Sequence, residues 1–136
     1  MASFKEINIP QKPPMVMVDC IVRMEDKTTV TSFRIRDDNV FLADGLFREP
    51  GLIENMAQTA AAGSSGKSGE EAAPPKLGFI GAIRDLEIKK MPKSGDEIFT
   101  KVTVTHEILN ASVVAASITL HDEIIAQCEL RIFLES

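Results

Sequence analysis

The chain has 136 residues, with fifteen basic against twenty acidic side chains, a formal net charge of -5, 44% hydrophobic residues and neither Trp nor Tyr. That length fits one domain spanning 1–136, able to bury roughly two thirds of its unfolded surface. The acidic balance argues against a nucleic-acid binder held by broad phosphate attraction, and no apolar run approaches the ~20 residues of a membrane span.

Met1 to Pro14 contains three prolines, Pro10, Pro13 and Pro14, and lacks the pattern of a signal peptide. It reads as irregular or extended backbone. The apolar run Met15 to Val22 and the β-branched run Thr28 to Ile35 predict two strands, joined by a turn at Glu25 to Lys27. Asp37, Asp38 and Asn39 end that pattern. From Pro50 to Ala62 apolar residues recur at Leu52, Ile53, Met56, Ala57, Ala60 and Ala61, the spacing of a helix with a buried face. Gly63 to Pro75 is rich in Gly, Ser, Glu and Pro and reads as a loop.

From Leu77 onward alternation replaces the helical period. Ile98, Val102, Val104 and Ile108 share one parity; Ile124, Ala126, Cys128, Leu130, Ile132 and Leu134 share another, against Gln127, Glu129 and Arg131. Pro92 to Asp96 and Leu109 to Ala111 read as connections, and His121-Asp122-Glu123 as a hairpin turn. Two strands, one helix and then three or four long strands predict an α+β fold in which one face of an antiparallel sheet packs on a single helix.

Glu54 is the one charged residue between Glu49 and Lys67. A carboxyl on a nearly neutral helix is the best candidate for general acid or base chemistry, against the plainer reading of a solvated Glu favoured by the helix dipole. His106 shares the parity of its strand's apolar face and reads as a core residue, and His121 as a turn residue. Cys20 and Cys128 lack metal-ligand spacing and read as buried free thiols of a reducing compartment, the cytoplasm. No metal-ligand cluster, phosphate loop or nucleotide motif is present, so no metal or cofactor is expected. Lys89-Lys90-Met91-Pro92-Lys93, with Lys12 and Arg84, is the one basic cluster, either a solvated strand end or a docking patch for an acidic partner.

Four motifs in order carry a family resemblance. Ile9-Pro10-Gln11-Lys12-Pro13-Pro14 with Met15-Val16-Met17-Val18-Asp19 resembles an entry segment L-P-H-R-x-P-F-L-L-V-D; Glu54-Asn55-Met56-Ala57-Gln58 is similar to E-A-M-A-Q; Phe79-Ile80-Gly81 resembles F-x-G; and Ser94-Gly95-Asp96 resembles P-G-D. These belong to the hotdog-fold, FabZ-like 3-hydroxyacyl-acyl carrier protein dehydratases. The resemblance implies a curved antiparallel sheet wrapped around one central helix, and elimination of water from a 3-hydroxyacyl thioester on an acyl carrier protein or CoA. It makes Glu54 the acid that protonates the leaving hydroxyl and Gln58 its partner one turn later. Gly81 would bind the thioester carbonyl through its amide, and Gly51 and Gln58 would join it at the substrate.

One family element is missing. The G-H-F-P segment, whose histidine takes the C2 proton, is replaced by Val40 to Gly51, which holds no histidine. This marks a divergent branch, similar to the dehydratase-like proteins of aryl polyene pathways. Asp44 stands where the histidine loop should be and is a substitute base. In the family each site joins the histidine of one protomer to the carboxylate of the other across a continuous sheet. The expected partner is therefore a second copy or, to supply the base, a dehydratase-like subunit. A hotdog thioesterase using the helix carboxylate and a non-catalytic acyl-binding subunit are the alternatives.

Overall fold

Eight strands and one long helix make up the computed structural model, which describes residues 9–67 and 78–134. The chain enters through β1 (Cys20–Glu25) and β2 (Thr28–Arg34), an antiparallel hairpin closed at Asp26 and Lys27. A two-strand ribbon follows, β3 (Leu42–Ala43) and β4 (Leu46–Phe47), then the helix α1 (Glu49–Lys67). Four long strands complete the fold: β5 (Gly78–Ile88), β6 (Glu97–Ile108), β7 (Ala111–Leu120) and β8 (Glu123–Leu134). The six long strands form one antiparallel sheet in the order β1-β2-β6-β7-β8-β5. The helix lies across its concave face, against β2, β6 and β7. This is the α+β hotdog arrangement expected from the sequence.

Alternation builds the core. Phe33, Ile98, Val102, Val114, Ala116, Ile118, Cys128 and Leu130 point inward and meet Leu52, Met56 and Ala60 of the helix. Burial of such side chains contributes roughly 1.5–3 kcal/mol each. Phe33 and Phe47 pack with ring centroids 5.9 Å apart, fixing the ribbon under the start of the helix. Pro50 sits in the first turn, where its missing amide hydrogen is not required.

Four details depart from the sequence reading. Met15 to Asp19 is not strand, because helix side chains rather than a neighbouring strand hold the Met15 and Met17 backbone; β1 begins only at Cys20. Thr105 is an extra residue between Val104 and His106 in the register with β7, which flips the parity beyond it. His106 is consequently exposed rather than in the core, and so is Ile108. A second register shift, between Ile118 and Thr119 of β7, inserts Ile125 on the β8 side, burying Ile125 and turning Ile124 outward. Finally, Gly63 to Lys67 continue the helix instead of opening a loop; the rest of that expected loop falls outside the described residues.

His121 and Asp122 both have positive φ, 51° and 64°, and form the two-residue turn between β7 and β8. Leu109 and Asn110 turn β6 into β7, so Ala111 belongs to the strand. Cys128 is buried, whereas Cys20 is half-buried and lies 3.0 Å from the Ser32 hydroxyl.

Candidate active site

Most of α1 is enclosed by the sheet, the ribbon and the entry segment. Ile53, Glu54, Ala57 and Ala61 form a narrow half-buried stripe along it. Glu54 stands on that stripe in the second turn. Its Oε2 accepts a hydrogen bond of 2.8 Å from Gln58 Nε2, one turn along. Gln58 is fully buried, and its second amide hydrogen goes to the Met15 carbonyl at 2.8 Å. Its Oε1 accepts the Met17 amide at 2.6 Å. The carboxylate is thus fixed on one oxygen by a side chain that is itself tied to backbone on both ends, the kind of support a general acid needs.

Beyond Glu54 the stripe borders a cavity of about 70 Å³. Ala57, Ala60, Ala61 and Gly63 form its helix wall, and Ile80 and Val114 belong to its sheet wall. The small side chains of Ala57, Ala60, Ala61 and Gly63 are what leave this space open. Ile80 precedes Gly81, which is an inserted residue in the β5–β8 ladder: Ile80 pairs with Ile132 and Ala82 with Arg131. A bulged residue is left out of the ladder's regular pairing. The same position also has a packing reason to be glycine, because a Cβ there would run into the Phe133 ring.

Gly51 and Asp44 have different surroundings. Gly51 is buried, its amide donates to the Arg48 carbonyl at 2.9 Å, and a Cβ would collide with Phe47 and Phe41. It lets the helix start close over the ribbon, which gives packing its own reason for glycine there. Asp44 and Gly45, with φ of 55° and 77°, make the two-residue turn between β3 and β4. The Asp44 side chain is 93% exposed and pairs with Arg48 at 3.4 Å. The structure therefore brings Glu54 and Gln58 together, sets Gly81 beside the cavity through Ile80, and leaves Asp44 facing solvent.

Asn55, to which the sequence analysis gave no role, lies in the same polar network. It is fully buried; its Nδ2 donates to the Met17 carbonyl at 2.7 Å, and its Oδ1 accepts from Thr100 of β6. Thr59 donates to the Asn55 carbonyl at 2.8 Å and meets Thr31 of β2 at 2.7 Å. An asparagine in a helix interior is unfavourable by itself, and two amide side chains three apart on a nearly neutral helix were the available signal. Lys89, Lys90 and Lys93 are exposed and, among the described residues, form no ion pair. The ribbon docks beside them, through Phe47 to Pro92 and a Leu46–Lys93 bridge. Among the described residues there is no group of His, Cys, Asp or Glu that could hold a metal ion, and no helix long and apolar enough to cross a membrane.

Comparison with known proteins places the chain in a family. The family model described as ApeP-like, ApeP dehydratase, matches residues 5–136. The 3-hydroxyacyl-acyl-carrier-protein dehydratase FabZ of Clostridium botulinum (strain Okra / Type B1) is 28% identical over 141 residues, covering 96% of each chain. Among solved structures, the dehydratase heterocomplex ApeI:P from Xenorhabdus doucetiae superposes with a TM-score of 0.85 at 16% identity, over 95% of this chain and 89% of that one. A hypothetical thioesterase protein with coenzyme A from Streptococcus pneumoniae TIGR4 gives 0.68 at 14% identity, over 85% and 84%. With its family model spanning residues 5–136 of the sequence, the chain belongs to the ApeP-like dehydratase family.

Proposed function

We propose that this chain is the carboxylate-bearing subunit of a 3-hydroxyacyl-thioester dehydratase, completed by a dehydratase-like subunit that brings the histidine. The observation that carries the reading is Glu54, held by Gln58 at 2.8 Å on a half-buried helix stripe whose later residues, Ala57 and Ala61, line a cavity. In the reaction the partner's base removes the C2 proton of the substrate. The freed electron pair forms the C2–C3 double bond as the C3–oxygen bond breaks. Glu54 gives its proton to the departing hydroxyl, which leaves as water, and the product is a 2-enoyl thioester. The bulged Gly81 amide is the donor for the thioester carbonyl, where negative charge gathers as the C2 proton leaves.

Asp44 is a poor base for this step, since it faces solvent and is paired with Arg48. That is why we assign the base to a partner. The edge strand β5 offers the joining surface: it is hydrogen-bonded on one side only and carries Phe79, Ile80, Ile83 and Leu86 at 38–55% exposure. The dehydratase heterocomplex among the structural neighbours supports a mixed pair over two copies of this chain. Lys89, Lys90 and Lys93 fit an acidic carrier protein better than free CoA. Two free thiols fit a cytoplasmic protein.

The test is dehydration of a 3-hydroxyacyl thioester by this chain together with a histidine-bearing dehydratase-like subunit. Glu54→Gln keeps the size and removes the acid, and is expected to lower kcat by about 100-fold to 10,000-fold. A mixture whose turnover ignores Glu54→Gln would refute the assignment, and tight pairing without that dependence would indicate a non-catalytic partner. Glu54-dependent hydrolysis of a saturated acyl thioester by the isolated chain would instead make it a thioesterase.

A further inference from the structure

Met17 is buried and gripped through all three of its heteroatoms. Its amide donates to Gln58 Oε1 at 2.6 Å, its carbonyl accepts from Asn55 Nδ2 at 2.7 Å, and its sulfur lies 3.3 Å from Asn39 Nδ2. Gln58 has no spare polar atom, because its two hydrogens go to Met15 and Glu54 and its oxygen takes the Met17 amide. Turning that amide over would set NH₂ against the Met17 N–H and oxygen against both the Met15 carbonyl and the Glu54 carboxylate. Three bonds would become three repulsions. The orientation of Gln58 therefore depends on where the Met17 backbone stands.

Asn55 decides where it stands. One end of its side chain holds the Met17 carbonyl, and the other is anchored by the Thr100 hydroxyl on β6, a central strand. We propose that Asn55 is a positioning residue. By tying Met17 to β6 it keeps Gln58 donating to Oε2 of Glu54, and so leaves Oε1 as the oxygen that hands over the proton. The path runs from Thr100 through Asn55, Met17 and Gln58 to Glu54, every link a hydrogen bond or one residue's backbone. The proposal rests on the reading of Glu54 as the acid, but the geometry can be tested apart from it.

Two measurements test it. In the complex with the histidine-bearing subunit, Asn55→Ala is expected to lower kcat by on the order of 10-fold to 100-fold with KM changed less than about twofold, as misplacement of a reacting group does. In a Gln58→Met background the same substitution should add less than about twofold, because the link it acts through is already gone. Full multiplication of the two effects would overturn the proposal. The second measurement uses the full chain alone and needs no turnover: the Gln58 side-chain amide should give two resolved, slowly exchanging proton signals that merge with free-amide behaviour in Asn55→Ala, while β7 backbone amides stay protected. An unchanged Gln58 amide overturns the proposal even if Glu54→Gln abolishes activity. A changed amide in a complex indifferent to Glu54→Gln upholds the coupling and rejects the acid reading. If Asn55→Ala does not fold, Thr100→Val removes only the anchoring hydroxyl and should give the same pattern at smaller size.

Discussion

Replacing Gln58 by methionine keeps the length of the side chain and removes three hydrogen bonds at once. The Met17 amide is buried and has no second acceptor, so leaving it unpaired costs about 1–3 kcal/mol. The Met15 carbonyl is at an exposed residue and water replaces the lost donor there. The bond to Glu54 is charge-assisted but only half-buried, so it adds about 1 kcal/mol after screening. The sum is about 2–4 kcal/mol. With an unfolding entropy of about 2.1 cal/mol/K per residue, a chain of this length shifts its Tm by about 3.5 °C per kcal/mol, so Gln58→Met should lower Tm by about 7–14 °C. Calorimetry at fixed protomer concentration measures this, with Gln127→Met as the control. Gln127 also donates to a glutamate, Glu87, at 3.0 Å, but on the exposed face of the sheet. Its substitution should stay within about 0.5 kcal/mol. Equal shifts for the two variants, or a loss under 2 °C at Gln58, would show that the entry segment does not depend on this amide.

Gly81→Ala should destabilise the fold by about 1–3 kcal/mol, because the added methyl meets the Phe133 ring, and Phe133→Ala should recover much of that loss in a double-mutant cycle followed by urea unfolding. Burial pushes the Cys128 thiol from 9.0 up to about 11. The native state then binds more protons than the unfolded one between those values, so this contribution to stability is complete below about pH 9 and is lost as pH rises towards 11. Denaturation midpoints across that window should fall less steeply in Cys128→Ala; equal slopes would refute the assignment.

The layout of the fold was legible because its elements are consistent along their length. Alternation in β6 and β8 and the one-sided spacing of Leu52, Met56 and Ala60 both reflect burial against a single surface. What parity could not register was an inserted residue. Thr105 and Ile125 each flip a strand's faces, and nothing in their side chains marks them as bulges. The ribbon before the helix was missed although Asp44-Gly45 is a hairpin signal, because its strands are two residues long and show no alternation. At the site, Glu54 stood out as a carboxylate on a nearly neutral helix, and Gln58 through the resemblance to E-A-M-A-Q. Asn55 did not, because its clients are the backbone of Met17 and the hydroxyl of Thr100, distant in sequence. Gly51 and Gly81 were read for ligand contact, yet each also has an aromatic ring pressed against it.

An edge strand eleven residues long, with half-exposed Phe79, Ile83 and Leu86, makes the chain a hazard when nothing pairs with that edge. Unpaired backbone beside apolar side chains is a template for any extended segment that meets it. The inserted residue at Gly81 and the irregular step between Arg84 and Glu87 kink that edge, which narrows the choice of strand it can accept. Under the mixed pairing proposed above, a cell would gain from synthesising both subunits together and in equal number. Surplus copies would be drawn into aggregates or cleared by proteases, and yield in a heterologous host should follow the supply of the mate more closely than the strength of the promoter.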